Sequence, residues 1–130
     1  MRICIPVPCF FRNVPFVDAV RTIRDLGFDA LETYDWKGLD LPAVRAACED
    51  SGVEFMSMCT TEFRMTDPAY RQQWLSGLAE SCAAANRVGA KRLITQVGPD
   101  TGADRRAQRD SIVAALTAAK PILDDSGVTI

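Results

Sequence analysis

A repeated alternation of short apolar segments and helices that end in glycine constrains the fold of this chain more than any other feature. Three predicted helices stop at Gly27, Gly52 and Gly89, and each glycine is followed within a few residues by an apolar segment. These segments lack clean polar alternation, which is typical of parallel strands buried on both faces. We therefore predict strict β-α-β-α order around a parallel sheet.

The alternation predicts four strands, four helices and the start of a fifth strand. The predicted strands are residues 2–7, 30–34, 54–59 and 91–97, and the fifth begins at Val128. The predicted helices begin near Asn13 with Pro15 in the first turn, after a cap at Asp40, at the pair Asp67-Pro68, and at about Asp104. The last helix should end at Asp125 before Gly127, and Pro121 is expected to kink or interrupt its final turns.

This order fits either an open doubly wound sheet or a barrel. The loop after the first strand has no Gly-x-Gly-x-x-Gly motif, so the dinucleotide-binding form of the open sheet loses its main support. Eight units of a barrel occupy roughly 250 residues, and this chain has 130. The prediction is therefore an α/β fold, the first half of a parallel (β/α) TIM barrel over residues 1–130. Its open edges predict either a fragment of a longer chain or a half-barrel completed by a partner.

Charge and cysteine usage exclude several classes of protein. The net charge of −2 comes from intermixed acidic and basic residues, so no basic block is available and no nucleic acid is expected as a partner. No apolar run approaches the roughly 18 residues of a membrane span, and Pro6 and Pro8 interrupt the apolar N-terminal stretch. The five scattered cysteines indicate reduced thiols and predict a cytoplasmic protein. Cys48 and Cys82 are expected to fill the core from helices.

Several short motifs in a fixed order resemble one known family. They are Gly27-Phe28-Asp29-Ala30-Leu31-Glu32, Asp35-Trp36-Lys37, Asp40-Leu41, Gly52-Val53-Glu54, Cys59-Thr60, Thr66-Asp67-Pro68, Leu93-Ile94-Thr95-Gln96-Val97-Gly98, Gln108 and Ser111-Ile112-Val113. Their order and spacing resemble the xylose isomerase-like TIM barrel superfamily, and most closely its hydroxypyruvate isomerase and sugar phosphate isomerase/epimerase branch. The resemblance covers essentially the whole chain.

The resemblance implies a divalent metal (Mg, Mn, Co or Zn) at the C-terminal face of the complete barrel. In these families the metal ligands and two acid/base glutamates lie mostly at the ends of strands five to eight, after the equivalent of Ile130. This chain should therefore hold no catalytic residue and bind no metal by itself. The implied chemistry is proton transfer between adjacent carbons of a small hydroxy-carbonyl compound or sugar, through an enediolate.

The chain has no histidine, and this narrows what the resemblance implies. DNA-repair endonucleases of the superfamily place zinc-ligating histidines on the early strands. Its aldose isomerases use an early-strand histidine to open the sugar ring. Because both are missing, the resemblance favours an open-chain substrate, such as a short hydroxy-keto acid, or the epimerases.

Six residues near the predicted strand ends are candidates for substrate binding, because the function of such barrels gathers at the C-terminal face. They are Glu32, Gln96, Trp36, Phe10, Cys59 and Arg64. Glu32 lies inside a strand, where it would either orient substrate or pair with a lysine or arginine from another strand. Gln96 would bind either substrate hydroxyls or a neighbouring backbone group.

The other four candidates lie at a strand end or in loops. Cys59 is expected to form a small apolar wall rather than a reactive thiol, since no histidine is present to activate it. Phe10 and Trp36 follow the first two strands, where aromatic side chains either cover a ligand or simply pack. Arg64 would either pair with a substrate carboxylate or be solvated.

We therefore expect the N-terminal part of a metal-dependent sugar or hydroxy-acid isomerase, with hydroxypyruvate isomerase as the preferred activity. The isolated chain is expected to be inactive. The alternatives are a ketose 3-epimerase of the same superfamily, a carbohydrate-binding barrel without catalysis, and a non-catalytic half-barrel. That half-barrel would assemble with a second copy, as a homo-oligomer, or with another subunit.

Overall fold

Four parallel strands form one sheet in the order β1-β2-β3-β4. The structure, a computed structural model, describes residues 2–130. The strands are β1 (Ile5–Pro6), β2 (Ala30–Thr33), β3 (Glu54–Cys59) and β4 (Arg92–Ile94). Beyond β4, Thr129 forms a single parallel bridge with Arg92, and its carbonyl accepts from the Leu93 N–H at 2.8 Å. The predicted parallel sheet and the start of a fifth strand are therefore confirmed.

Helices alternate with these strands. They are α1 (Val7–Phe10), α2 (Phe16–Asp25), α3 (Leu41–Ser51), α4 (Arg71–Val88) and α5 (Arg105–Ser126). No helix within residues 2–130 is long and apolar enough to cross a membrane.

The helix ends follow the predicted capping residues. Asp40 Oδ1 accepts from the Ala43 N–H at 3.1 Å at the start of α3, and Asp104 Oδ1 accepts from two N–H groups at the start of α5. At the C-terminal ends, Gly52 and Gly89 have positive φ angles of 64° and 90°, which glycine adopts without the steric cost of a Cβ. Local hydrogen bonding and backbone freedom thus set these boundaries.

Several predicted boundaries were wrong. The first strand ends at Pro6 because residues from Val7 onward turn into the unpredicted helix α1, which tolerates Pro8 in its first turn. Asp67 caps a short 3₁₀ helix, Pro68–Tyr70, rather than the α-helix itself. The predicted fourth strand, 91–97, contracts to β4, and α5 runs without interruption through Pro121.

The first helix and the second strand are also shorter than predicted. Helix α2 begins at Phe16 rather than near Asn13, and Pro15 is its N-cap rather than a residue of its first turn. Strand β2 ends at Thr33, so that Tyr34 begins the following loop. In both cases the predicted element is present and its boundary shifts by one to three residues.

A bulge in β3 decides which side chains share a face. Leu31 pairs with Phe55, but the next residue, Glu32, pairs with Ser57, so Met56 has no partner on β2. An extra residue of this kind reverses the in–out alternation on one strand. As a result, Ser57 lies on the same face as Glu32.

The sheet therefore has two distinct faces. The helix-covered face carries Leu31, Thr33, Met58 and Leu93, which are all buried. The inner face carries Glu32, Ser57, Cys59 and Ile94.

The hydrophobic core lies between the helix-covered face and the helices. Buried side chains from α2, α3 and α4, among them Ile23, Val44 and Leu78, join the strands in one cluster. The rings of Phe16 and Phe55 stack with centroids 6.0 Å apart. Cys48 and Cys82 are buried in this cluster, which confirms their predicted role as core fillers.

The amino ends of three strands are joined by one arginine. Arg2 Nε lies 3.0 Å from Asp29 Oδ1, ahead of β2, and the guanidinium also contacts Glu54 at the start of β3. Arg92 Nη1 lies 3.6 Å from the other Glu54 oxygen. These exposed ion pairs connect the strand starts at the amino-terminal edge of the sheet.

Candidate functional site

A cavity of about 410 Å³ lies at the carboxyl ends of β2, β3 and β4. It is called the strand-end cavity below, and its lining residues are Tyr34, Cys59, Thr60, Phe63, Ile94 and Gln96. Parallel strands bring their carboxyl ends to one edge of the sheet, where the function of barrels of this kind is concentrated. Two of the six predicted residues, Cys59 and Gln96, lie together in this lining.

The loop after β3, residues 60–66, forms one side of the strand-end cavity. Its first residue continues the sheet, because the Thr60 N–H donates to the Ile94 carbonyl at 2.9 Å. The hydroxyls of Thr60 and Thr95 are hydrogen-bonded at 3.0 Å. Further along, the Thr66 hydroxyl donates to the Pro99 carbonyl at 2.8 Å. The loops after β3 and β4 are thus joined along their length.

Two glycines let neighbouring backbone approach this loop closely. A Cβ added at Gly77 of α4 would lie 2.8 Å from Thr61 Oγ1, and one added at Gly98 would lie 2.4 Å from the Phe63 carbonyl oxygen. Gly98 also has a φ of 105°, a conformation that other residues adopt only under strain. Any larger residue at Gly98 would clash with the backbone of this loop and force it to shift.

Two buried serines fix the same loop from the helix side. Ser81 Oγ, in α4, accepts from the Thr61 N–H at 3.2 Å. Ser111 Oγ, in α5, donates to the Met65 carbonyl at 2.8 Å. Both serines are buried, where hydroxyls need hydrogen-bond partners, and the loop backbone supplies them. The cavity wall is therefore held in a defined position rather than left as a free loop.

Trp36 lies next to the strand-end cavity and is hydrogen-bonded to the backbone of one of its lining residues. Its indole is buried, and Nε1 donates to the Cys59 carbonyl at 3.1 Å. The ring lines a smaller neighbouring cavity of about 300 Å³ that shares Tyr34, Cys59, Thr60 and Phe63 with the first. The structure thus places Trp36 next to the strand-end cavity rather than in its lining.

Glu32 lies half-buried on the inner face, below the cavity. A lysine or arginine partner, one of the two alternatives for Glu32, is absent within residues 2–130, and Glu32 Oε2 instead accepts from the Ser57 hydroxyl at 3.0 Å. The bulge in β3 makes this contact possible, because it brings Ser57 onto the same face. Burial, and secondly the negative charge of Glu32, raise the pKa of the Cys59 thiol. Cys59 is therefore a neutral thiol at pH 7, and its role as a substrate-binding wall stays a prediction.

Tyr34 forms the rim of the cavity at the end of β2. Its phenol shares a hydrogen bond of 3.4 Å with the Cys9 thiol, and this hydrogen bond is the main cause that raises the Tyr34 pKa. Phe10, next to Cys9, belongs to helix α1 rather than to a loop and is 70% exposed. The structure does not bring Phe10 into the strand-end cavity.

Arg64 is not among the residues that line the strand-end cavity. Its guanidinium carbon lies 4.5 Å from the centroid of the Tyr70 ring, a cation–π contact. The Gly98 backbone and the Thr66 hydroxyl bond fix the loop on either side of it. Arg64 is therefore neither simply solvated nor part of the lining.

Sequence reasoning missed four lining residues: Tyr34, Thr60, Phe63 and Ile94, the last of which ends β4. Tyr34 and Thr60 each directly follow a strand, and the rule that barrel sites lie at strand carboxyl ends would have found both. Phe63 has no such signal. Its place in the lining results from the tertiary contacts that position the loop.

Residues 2–130 contain no group of three histidine, cysteine, aspartate or glutamate side chains placed to hold a metal ion. Cys59 in the lining and Glu32 on the adjacent strand do not suffice for a metal centre. The described residues by themselves therefore do not fit a divalent metal, whose ligands the resemblance assigns to later strands of the complete barrel, and no chemical step is assigned to a metal on this part of the chain.

Three solved structures illustrate what the fold is similar to. An AP endonuclease, family 2, from Brucella melitensis is 16% identical with a TM-score of 0.87, over 99% of this chain and 54% of its own. A 3-keto-D-glucoside 4-epimerase from E. coli is 19% identical with a TM-score of 0.79, over 98% of this chain and 54% of its own. A D-allulose 3-epimerase from Methylomonas sp. is 18% identical with a TM-score of 0.69, over 87% and 43%.

These similarities establish the fold, and this chain spans about half the length of each of those proteins. A comparison with curated protein sequences finds no match. A family model described as xylose isomerase-like TIM barrel matches residues 20–130. The match takes in β2, β3, β4 and every residue of the strand-end cavity, and the chain therefore belongs to the xylose isomerase-like TIM barrel family.

Proposed function

We propose that this chain forms the substrate-binding wall of an isomerase or epimerase that acts on a small hydroxy-carbonyl compound or sugar. The observation that carries the proposal is the strand-end cavity, formed where three parallel strands of a family barrel end. Solved neighbours of the same fold include two epimerases of sugars. A nuclease is not proposed, because the chain has no histidine with which to bind the zinc of such enzymes.

In this proposal the reaction divides between two parts of a complete barrel. This chain supplies the wall: neutral hydrogen-bonding groups, aromatic rings and a fixed loop. The acid/base carboxylates and the ligands of a divalent metal come from the polypeptide that completes the barrel, whether it continues this chain or is a second one. Proton transfer next to a carbonyl needs both a base and stabilisation of the enediolate oxygen.

Two activities are proposed within this class. Hydroxypyruvate isomerase is the activity favoured by the sequence resemblance, and ketose 3-epimerase is the second. The substrates of these two activities differ in charge, because hydroxypyruvate carries a carboxylate and a free ketose carries no charge.

The test compares the complete barrel with the 130-residue chain. Exchange of the substrate C–H next to the carbonyl is followed by NMR in D₂O, with and without a chelator. We expect metal-dependent exchange by the complete barrel and none by the 130-residue chain alone. Exchange by this chain alone at enzymatic rates, or none by the complete barrel with hydroxypyruvate or any ketose, would refute the proposal.

A non-catalytic half-barrel that assembles with a second copy is the rival proposal. The exposed edge at β1 and the exposed apolar side chains Phe10, Ile94 and Val97 favour association. Light scattering distinguishes the two. The rival proposal would be favoured by two results together: this chain forms a stable dimer, and no complete barrel shows C–H exchange.

We also propose a reducing compartment, the cytoplasm, as the location. All five cysteines are free thiols, as is usual in the cytosol, where glutathione and thioredoxin keep thiols reduced. Fractionation of cells followed by thiol labelling would test this, and isolation of the protein with oxidised cysteines would contradict it.

A further inference from the structure

Gln108 lies in α5 with its polar side chain buried, at 7% exposure. Its Nε2 donates to Asp100 Oδ1 and to the Ala103 carbonyl, both at 2.8 Å, and its Oε1 accepts from the Thr101 N–H at 3.3 Å. All three partners lie in the connection between β4 and α5, residues 95–104, which is called the β4 loop below. One buried side chain thus satisfies polar groups of a loop that has no regular secondary structure.

Asp100 extends this arrangement within the β4 loop. Its Oδ1 also accepts from the Gly102 N–H at 2.9 Å. These two hydrogen bonds, first the one from Gly102 and then the one from Gln108, lower the pKa of Asp100. A carboxylate therefore faces the Gln108 amide at neutral pH. The arrangement requires a donor at position 108, because a second carboxylate there would repel Asp100 and leave the Ala103 carbonyl without its donor.

The β4 loop contributes to the wall of the strand-end cavity in two ways. It carries Gln96, one of the lining residues. It also packs against loop 60–66, because Gly98 lies so close to Phe63 that an added Cβ would be 2.4 Å from the Phe63 carbonyl oxygen. Phe63 is itself in the lining. A shift of the β4 loop would therefore displace both Gln96 and Phe63.

Gln108 has this connection to the wall although it lies outside the strand-end cavity. It lines a separate cavity of about 360 Å³, which shares no residue with the strand-end cavity. A ligand held by the lining residues of the strand-end cavity would meet Gln96 and Phe63 but not Gln108. Any effect of Gln108 on that ligand is therefore transmitted through the β4 loop.

We infer that Gln108 is a positioning residue for the strand-end cavity: its amide holds the β4 loop, and through that loop it fixes Gln96 and Phe63 in the cavity wall. The inference rests on the proposed function and deepens it. It identifies a residue in α5 that controls the same site without touching a ligand there.

Amide hydrogen exchange of the 130-residue chain tests the inference. Gln108→Glu is nearly isosteric and removes the donor to Asp100 and Ala103. We expect exchange at least roughly tenfold faster in the β4 loop and in loop 60–66, because both loops open locally when the anchor is lost. The NMR signals of the Gln96 side-chain amide and the Phe63 ring should shift as well.

Two variants serve as controls. Gln73 Nε2 donates to Glu62 Oε1 at 3.0 Å at the exposed surface, so Gln73→Glu creates the same pair of facing carboxylates beside loop 60–66. Water and salt screen that pair, and exchange should change by less than about threefold. Val44 is buried on α3. Val44→Ala should lower global stability and leave local exchange in both loops unchanged.

A rescue variant separates the hydrogen bond from a general loss of stability. Asp100→Asn should have little effect alone, because its side-chain oxygen still accepts from Gln108 and Gly102. Combined with Gln108→Glu, it returns a donor to the pair. The double variant should therefore exchange more slowly than Gln108→Glu in both loops, by roughly threefold or more. Circular dichroism shows whether each variant folds, and Gln108→Met replaces Gln108→Glu if the latter does not.

In the complete barrel, Gln108→Glu should raise KM about tenfold and leave kcat within about twofold, because the wall binds substrate and supplies no acid or base. Three results would overturn the inference: unchanged exchange in loop 60–66, an equal effect of Gln73→Glu, or an unchanged KM in an active barrel. A complete barrel that turns over no substrate would refute the proposed function instead. Hydrogen exchange would then still decide whether Gln108 fixes the wall.

Discussion

The helix-covered face and the inner face of the same four strands have opposite environments. On the first, Leu31 and Met58 are fully buried beneath helices; on the second, Ile94 remains 41% exposed. Leu93 and Ile94 are adjacent in β4, yet they lie on opposite sides of this division. Stability is thus concentrated on one face, because burial of apolar area is its main source. The other face is left free for ligands or for the rest of a barrel.

The largest loss of stability is expected when a side chain is truncated on the helix-covered face. Leu31→Ala should lower the free energy of unfolding by about 2–5 kcal/mol, because it deletes buried methyl groups and leaves a cavity. The matched substitution on the inner face, Ile94→Ala, should cost less than about 1 kcal/mol. Urea unfolding followed by circular dichroism measures both. Equal losses would mean that the two faces are not different in this way.

The second test concerns the close approach beside the strand-end cavity. Gly98→Ala should destabilise by about 2–4 kcal/mol, the sum of strain at positive φ and a clash with the Phe63 carbonyl. Gly102→Ala is the control, because Gly102 has a φ of 75° but open space around it. It should cost only about 1–2 kcal/mol. Thermal unfolding of the pair isolates the clash, and identical melting temperatures would argue against it.

A smaller effect is expected at the hydrogen bond from α5 to the loop. Ser111→Ala leaves the Met65 carbonyl without its partner and should cost about 1–3 kcal/mol. Thr117→Ala, which removes an exposed hydroxyl bonded within the same helix, should cost less than about 0.5 kcal/mol. The Ser111 variant should also speed amide hydrogen exchange in loop 60–66. Unchanged exchange would show that the loop does not depend on this anchor.

The smallest expected effect is a pH dependence of the free energy of unfolding, which arises from the buried Cys48 thiol in α3. Burial raises the pKa of Cys48 from an ordinary 9.0 to about 11. Between these values an unfolded chain releases the thiol proton while the folded protein keeps it, so stability is complete below pH 9 and falls as pH rises towards 11. Cys48→Ala should reduce this slope in pH-dependent urea unfolding.

The destabilising Val44→Ala variant is the control for this slope. Val44 is buried on the same helix, and its truncation should lower stability at every pH while leaving the slope intact. Retention of the full slope in Cys48→Ala would assign it to other groups, of which Cys4, with a pKa of about 11, is the first to examine.

A site residue could be predicted from the sequence when its position is set by neighbouring residues in the chain, and not when it is set by contacts with distant ones. Cys59 and Gln96 were found because position relative to a strand end is readable from the chain, and Tyr34 and Thr60 could have been found in the same way. The partner of Glu32 could not, because it depends on a one-residue bulge in a neighbouring strand. The contact of Arg64 with Tyr70 depends on a 3₁₀ turn that replaces the start of the expected helix.

The amino-acid sequence by itself determined the order of elements and most helix ends. Asp40 and Asp104 satisfy free N–H groups a few residues away, and Gly52 and Gly89 adopt angles that other residues avoid. These interactions lie within one turn of chain, so short sequence motifs are enough to predict them. Only the tertiary structure decided the register of the strands, the length of β1 and β4, and the wall of the cavity. Those depend on which distant residues meet across the sheet, and no local preference specifies that.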